Sequence, residues 1–267
     1  MGPAPTTKQI ILALLSISHD DVRPIARLVA AASLFGIAEA TVRVTVGRLV
    51  KEGTLEAVDR GEYRIGEKGR QFRDVIRGWS TLERQVEPWD GTWLLVHTAH
   101  LGRVERKRLK ARERALRLRG FAPFEQGLWV RPSNLCLELD VLRRQLLDLG
   151  LEPEAHLFHG EPIGTDERAK LMELWDTHAL ERRYRELLER MDASQRGLDA
   201  RSPADAARET LEIGLEVVTA LNFDPLLPAE MVDTRLRAAV GQAMVAYNVA
   251  GMNCWARFDL SESLEGQ

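Results

Sequence analysis

A few groups of residues in this 267-residue chain have types and spacings that could carry chemistry. His97 and His100 form one His-x-x-His pair, and His156 and His159 form another. Zinc would require further nitrogen or sulfur ligands for either pair. Cys136 and Cys254 are distant in sequence and lack metal-ligand spacing. Residues three apart on a strand point to opposite faces, so the histidines read as ordinary surface or core residues. No metal and no cofactor are expected. Gly-rich phosphate loops, nucleophile elbows and metalloprotease motifs are also missing from the sequence, so an enzyme is not the expectation. A second group is the cationic run at 103–119, with nine Lys/Arg against two Glu. At helical spacing Arg103, Arg106, Lys107, Lys110, Arg114 and Arg117 share an arc of about 100°. That arc reads either as a solvated face or as a cradle for a polyanion, whether a nucleic-acid backbone or the phosphates of a coenzyme thioester. Third, Trp89, Trp93 and Trp129 could line an apolar slot, or could be interdomain core.

The fourth group is "ATVRVTVGRLVKEG", residues 40–53. It is rich in β-branched residues and carries a glycine, yet its apolar positions have helical period. Val42, Val46, Leu49 and Val50 fall on one stripe, which tertiary burial can hold helical against weak local propensity. The opposite side holds Thr41, Val44, Gly47, Arg48 and Lys51, flanked by Arg43 and Thr45. Such a face suits a DNA groove. Arginine can bond guanine, threonines can bond bases or phosphates, and valine can meet a thymine methyl. Gly47 costs about 1 kcal/mol of helix stability but leaves bare backbone where DNA could approach.

The surrounding elements must position that face. Thr6 or Thr7 can cap a helix through Ile10, Ile11, Leu14 and Leu15. Pro24 suits the first turn of a second helix, and Gly36 ends it. The quoted helix closes at Gly53. Strands at Leu55–Val58 and Glu62–Ile65 then flank Asp59-Arg60-Gly61. Helices followed by a hairpin give the winged helix-turn-helix order, with the quoted stretch as recognition helix. Arg60 and Arg64 on the hairpin join the candidate DNA contacts. Residues 78–92 read as a linker with aromatic anchors. From "WLLVHTAH" to "EAHLFHG" the pattern fits a βαββαβ, ferredoxin-like plan. The rest reads as helical: one long helix over residues 165–191 capped by Thr165 or Asp166, one from Pro203 to about Leu221, and a last one ending near Tyr247. The expected class is α+β, with domains at 1–78, 79–160 and 161–267.

Formal charge is +3 over residues 1–77, +2 over 78–160 and −8 over 161–267. A polyanion should therefore dock on the first two segments. Apolar runs such as "IILALLSI" are too short to span a bilayer, and "MGPAPTTK" shows no secretory leader. With only two cysteines, a cytoplasmic location without membrane partners is expected.

Several stretches together resemble the PaaX family, repressors of bacterial phenylacetic acid catabolism. "FGIAEATVRVTVGRLVKEGTLE" is similar to its recognition-helix pattern and "YRIGEKGR" to its wing exit. "WDGTWLLV" and "RGFAPFEQGLWVRPSNL" resemble its middle domain, and "NFDPLLPAE" its Asp-Pro-x-Leu-Pro signature. In the family that signature is usually followed by a Leu-Pro and a Trp-Pro-Gly-like segment; here "PAEMVDTRLRAAVGQA" contains neither. The resemblance implies a homodimer that binds operator DNA and is released by an aryl-CoA or acyl-CoA thioester, phenylacetyl-CoA in the founding case. The effector residues to consider are then Trp89, Trp93 and Trp129 with Arg106, Lys110 and Arg114. Two other readings remain open. One is a winged-helix protein-interaction module. The other is a metal-dependent nuclease, because the middle domain also resembles the ferredoxin-like endoribonucleases of CRISPR adaptation modules. Those enzymes place an aspartate at the end of the first strand, where "LLVHTAHLG" offers His97 and Thr98 and no carboxylate for a hard cation.

Overall fold

The computed structural model describes residues 5–17, 22–161 and 164–265. It contains helices and two antiparallel sheets, an α+β protein. Two compact units account for the chain. The first comprises residues 1–80, 186–219 and 239–267, and the second 81–185 and 220–238. Residues 161–267 therefore supply helices to both.

The first unit begins with α1 (Thr7–Ile17). Thr6 and Gln9 cap it reciprocally: Gln9 N–H donates to the Thr6 hydroxyl at 3.3 Å, and Thr6 N–H to Gln9 Oε1 at 2.9 Å. A short strand, β1 (Val22–Pro24), leads into α2 (Ile25–Ser33), for which Pro24 is the N-cap rather than the first helical residue. Then come α3 (Glu39–Lys51), β2 (Leu55–Asp59), β3 (Glu62–Ile65) and α4 (Glu67–Gly78). β3 is the middle strand, with β1 and β2 antiparallel on its sides. Gly61, at φ +82° in the β2–β3 turn, adopts the left-handed conformation that side chains resist. The core joins Ile11, Leu12 and Leu15 of α1, Leu28 and Ala32 of α2, Val42, Val46 and Leu49 of α3, and Leu55 and Ile65 of the hairpin. Each large side chain so buried contributes about 1.5–3 kcal/mol.

Residues 78–92 are less of a linker than their composition suggests. α4 runs through Gly78, and a tighter helical stretch continues to Gln85. The start of α4 lies close to the α3–β2 turn. Gly66 N–H donates to the Thr54 carbonyl at 2.9 Å, and a Cβ at Gly66 would come within 2.6 Å of the Gly53 carbonyl oxygen.

The second unit carries β4 (Trp93–His97), α5 (Arg106–Leu118), β5 (Ala122–Glu125), β6 (Leu128–Pro132), α6 (Leu139–Leu149) and β7 (His156–Gly160). Its sheet order is β5-β6-β4-β7, the split βαβ arrangement of a ferredoxin-like sheet. Leu94 and Val96 of β4 face a core with Ala115 and Leu116 of α5 and Leu142 and Leu146 of α6. On the other face Trp93 and Val130 pack with Leu171 and Trp175.

The single helix expected over 165–191 is two: α7 (Thr165–Met172) and α8 (Thr177–Gly197). The break places Trp175 in a stack on Trp93, ring centroids 6.3 Å apart, while Asp176 Oδ1 accepts from Ala179 N–H at 2.8 Å and restarts the helix. The N-cap of α7 is Gly164, not Thr165 or Asp166. α9 (Pro203–Asn222) begins at the expected proline. α10 (Thr234–Glu265) continues 18 residues beyond Tyr247. Gly251 does not stop it, because its bare side faces Thr210, whose Cβ would lie 3.4 Å from an added methyl. No helix among the described residues is long and apolar enough to cross a membrane.

Candidate nucleic-acid interface

The two sides of α3 differ sharply. Val42 and Leu49 are fully buried and Val46 nearly so. On the opposite side Thr41, Arg43, Val44, Gly47, Arg48 and Lys51 are exposed, Val44 at 74%. A valine that open on a well-packed helix is free to meet another surface. A Cβ added at Gly47 would meet nothing within 4 Å.

The cations on this face are held loosely. Arg43 Nε donates to Glu39 Oε1 at 2.7 Å, and Arg48 lies 4.0 Å from Glu52. Both are surface pairs one helical turn apart, worth about 0.3–0.5 kcal/mol, so a phosphate or guanine can displace the carboxylate at little cost. Arg48 and Lys51 also occupy the last turn, where the helix dipole favours positive charge. Arg60 is exposed on the β2–β3 turn. Arg64 is more committed: its Nε and Nη2 donate to both carboxylate oxygens of Glu56 at 3.1 and 2.7 Å. That hydrogen bonding holds the Glu56 carboxyl below its usual range, so its negative charge persists at neutral pH and offsets Arg64.

Thr45 requires a correction. It is buried, and its hydroxyl donates to the Thr41 carbonyl at 2.7 Å. Its position in the helix turns it toward the core edge, where the carbonyl one turn earlier satisfies it. Thr45 is therefore not available to DNA.

The residues expected to bind an effector do not converge. Trp89 and Trp93 meet edge to face at 5.2 Å, on the sheet face that also holds Trp175. Trp129 is paired with Val96, three residues along β4 from Trp93. Odd separation on a strand means opposite faces, and Trp129 indeed packs with Leu116 of α5, under the Arg117 guanidinium at 5.3 Å. The three tryptophans thus line no common slot. Arg106, Lys110 and Arg114 are exposed along α5. By contrast, Arg112 is buried and makes a two-point pair with Glu152, at 2.9 and 2.6 Å, that ties α5 to the segment before β7.

The histidines also rearrange. His100 Nε2 contacts the Glu154 carbonyl at 2.8 Å, and its ring stacks on His156 at 4.6 Å. His159 instead contacts Thr92 Oγ1 at 2.9 Å. No group of three or more His, Cys, Asp or Glu among the described residues could hold a metal ion. At the end of β4 the Thr98 hydroxyl donates to the Gly127 carbonyl at 3.2 Å.

Sequence reasoning did not single out the buried polar residues that anchor "NFDPLLPAE". The Tyr184 hydroxyl donates to Asp224, and Arg237 lies 3.7 Å from the same carboxylate. Asn134 donates to the Leu226 carbonyl at 2.8 Å and accepts from Arg131 at 3.0 Å. Burial, then the nearby Arg119 charge, lower the Arg131 pKa, and Asp224 opposes them. Asp224 is thus held by Tyr184 of α8 and Arg237 of α10, and the Leu226 carbonyl by Asn134, contacts that anchor the loop.

Residues 86–172 match the family model described as PaaX protein central Cas2-like domain. The match spans β4 to α7 and supports membership of the PaaX family. No curated protein matches the chain. Among solved structures, the uncharacterized protein Rv0674 from Mycobacterium tuberculosis is similar in fold, with a TM-score of 0.60 and 22% identity. That similarity covers 93% of this chain and 98% of the other.

Proposed function

We propose that this PaaX-type chain is a DNA-binding transcriptional repressor whose α3 enters the major groove as the recognition helix of a winged helix-turn-helix. The observation that carries the reading is the outer face of α3. Weakly paired arginines, an exposed valine and a bare glycine stand on a helix whose other side is locked into the core. The α1-α2-α3 order followed by the β2–β3 hairpin suits that docking, with Arg60 at the wing tip. Thr41, Arg43, Val44, Arg48 and Lys51 are the contacts we assign, with Arg64 reaching phosphate only after release from Glu56.

A repressor must find one site in a genome, and a single winged helix spans few base pairs. We therefore propose a homodimer reading two half-sites. Residues 1–78 would bind DNA, 79–160 form the central domain, and 161–267 provide helices for self-association. The effector class implied by the family resemblance is an aryl-CoA or acyl-CoA thioester. The exposed Arg106, Lys110 and Arg114 suit its phosphates. A cytoplasmic location follows from this role.

Selection of genomic fragments on the purified protein, followed by footprinting, tests the reading. Protection of two half-sites about one helical turn apart, centre to centre, is the expected result. Failure to retain any fragment at low salt would overturn it in favour of a protein-interaction module.

A further inference from the structure

The first unit carries a half-open pocket of about 290 Å³ between one face each of α1, α9 and α10, with Trp79 and Ser80 also in its wall. Its origin is visible in the helices. Gly214 of α9 and Gly251 of α10 put no side chain into the space, and Ala13 of α1 puts only a methyl. A Cβ at Gly214 would meet just the Met244 side chain, at 3.6 Å.

The lining is mostly apolar and aromatic, and no Lys, Arg, Asp or Glu among the described residues contributes to it. A carboxylate or phosphate inside would be desolvated without a counter-charge, which is costly. The polar members of the lining among the described residues are Ser16, Ser80, Thr210, Tyr247 and Asn248. The half-buried Asn248 makes no side-chain hydrogen bond among the described residues, which leaves its carboxamide open to a ligand. An apolar cavity of about 150 Å³ holds one benzene ring, so this one has room for roughly two.

The cavity also has a physical route to DNA. Ile10 and Ala13 of α1 pack against Leu211 and Trp255 on the cavity side. The other side of the same helix, Ile11, Leu12 and Leu15, shares a core with Val42, Val46 and Leu49 of α3. α10 is further tied to α2 by the Arg27–Asp259 ion pair. A molecule that changes the spacing of α1 and α10 therefore acts on the helices that aim α3.

We propose that this pocket is an effector site for an uncharged aromatic group of about two rings. The proposal rests on the DNA-binding reading for its regulatory consequence, and on the cavity alone for ligand binding. Filling the cavity shifts operator affinity only if the two states of the regulator bind the ligand differently.

The test uses coumarin, an uncharged two-ring lactone, against its carboxylate derivative, titrated calorimetrically into the full-length protein. Coumarin should bind one site per chain, and the carboxylate about tenfold more weakly or not at all. Gly214→Leu, which fills the space, should abolish coumarin binding without lowering the melting temperature. Ala13→Leu, which adds bulk from α1, is a second filling variant should the first not fold. Gly214→Ala should retain binding. Absence of coumarin binding, equal binding of the carboxylate, or undiminished binding in both filled variants would each overturn the site. Coumarin should also shift operator affinity of the wild type but not of the filled variants. Binding that leaves operator affinity unchanged refutes the regulatory role. A protein that binds coumarin but no DNA refutes the repressor reading while leaving the site intact.

Discussion

Replacing Gly47 with alanine separates what α3 needs to fold from what it needs to bind. The position is exposed in the middle of the helix, and an added Cβ meets nothing within 4 Å. Alanine exceeds glycine in a helix interior by about 0.8–1.0 kcal/mol. With no clash to offset that gain, Gly47→Ala should raise unfolding free energy by roughly the same amount, about a four- to fivefold change in the folded-to-unfolded ratio. The effect on DNA should have the opposite sign. If a duplex packs against the bare backbone between Val44 and Arg48, an extra methyl overpacks the interface, and overpacking costs about 1–3 kcal/mol. Operator affinity should then fall about fivefold or more. Urea denaturation followed by circular dichroism reads the first quantity, and fluorescence anisotropy with a labelled operator reads the second. Raised stability with unchanged operator affinity would remove Gly47 from the interface. Lowered stability would refute the account of an unobstructed helix surface.

Thr45→Val should leave operator affinity within about twofold, because the buried hydroxyl serves only the Thr41 carbonyl; a tenfold loss in the anisotropy assay would return Thr45 to the interface. Asp224→Ala removes the carboxylate beside the buried Arg237 guanidinium and should destabilise the second unit by roughly 3–5 kcal/mol, with a cost below about 1 kcal/mol in urea denaturation counting against the network. The Arg112 hydrogen bond lowers the Glu152 pKa from its ordinary 4.5. A depressed carboxylate contributes stability above its unfolded pKa and loses it as pH falls through the folded value. The stability gap between wild type and Glu152→Gln should thus be widest at neutral pH and shrink in acid below the ordinary carboxylate pKa; a gap that widens in acid would show the sign to be wrong.

α3 was legible as a helix because burial, not propensity, holds it, and burial writes its period into Val42, Val46 and Leu49. The hairpin was legible from Gly61, and the βαββαβ order from alternating strand and helix patterns. Other features leave weaker traces. β1 is three residues ending in a proline and exists only through pairing with β3. Gly66, just before α4, and Gly69, in its first turn, serve close backbone contact that no local pattern marks. The break between α7 and α8 depends on a tryptophan stack with β4, which no local pattern encodes. Trp93 and Trp129 share a motif-rich stretch, yet register places them on opposite sheet faces. Gly214 and Gly251 look like weak points in helices until the cavity they leave is seen.

The most direct test of the central claim is a salt series of anisotropy titrations on a selected operator, comparing wild type with an Arg43→Ala, Arg48→Ala double variant. Wild-type affinity should fall steeply with salt as counterions are released. A base-reading arginine should cost the variant about 1–3 kcal/mol with relaxed sequence preference, whereas a phosphate-binding one should reduce the salt slope by about 1. Full operator affinity and an unchanged slope in the double variant would contradict the assignment of α3 as the recognition helix.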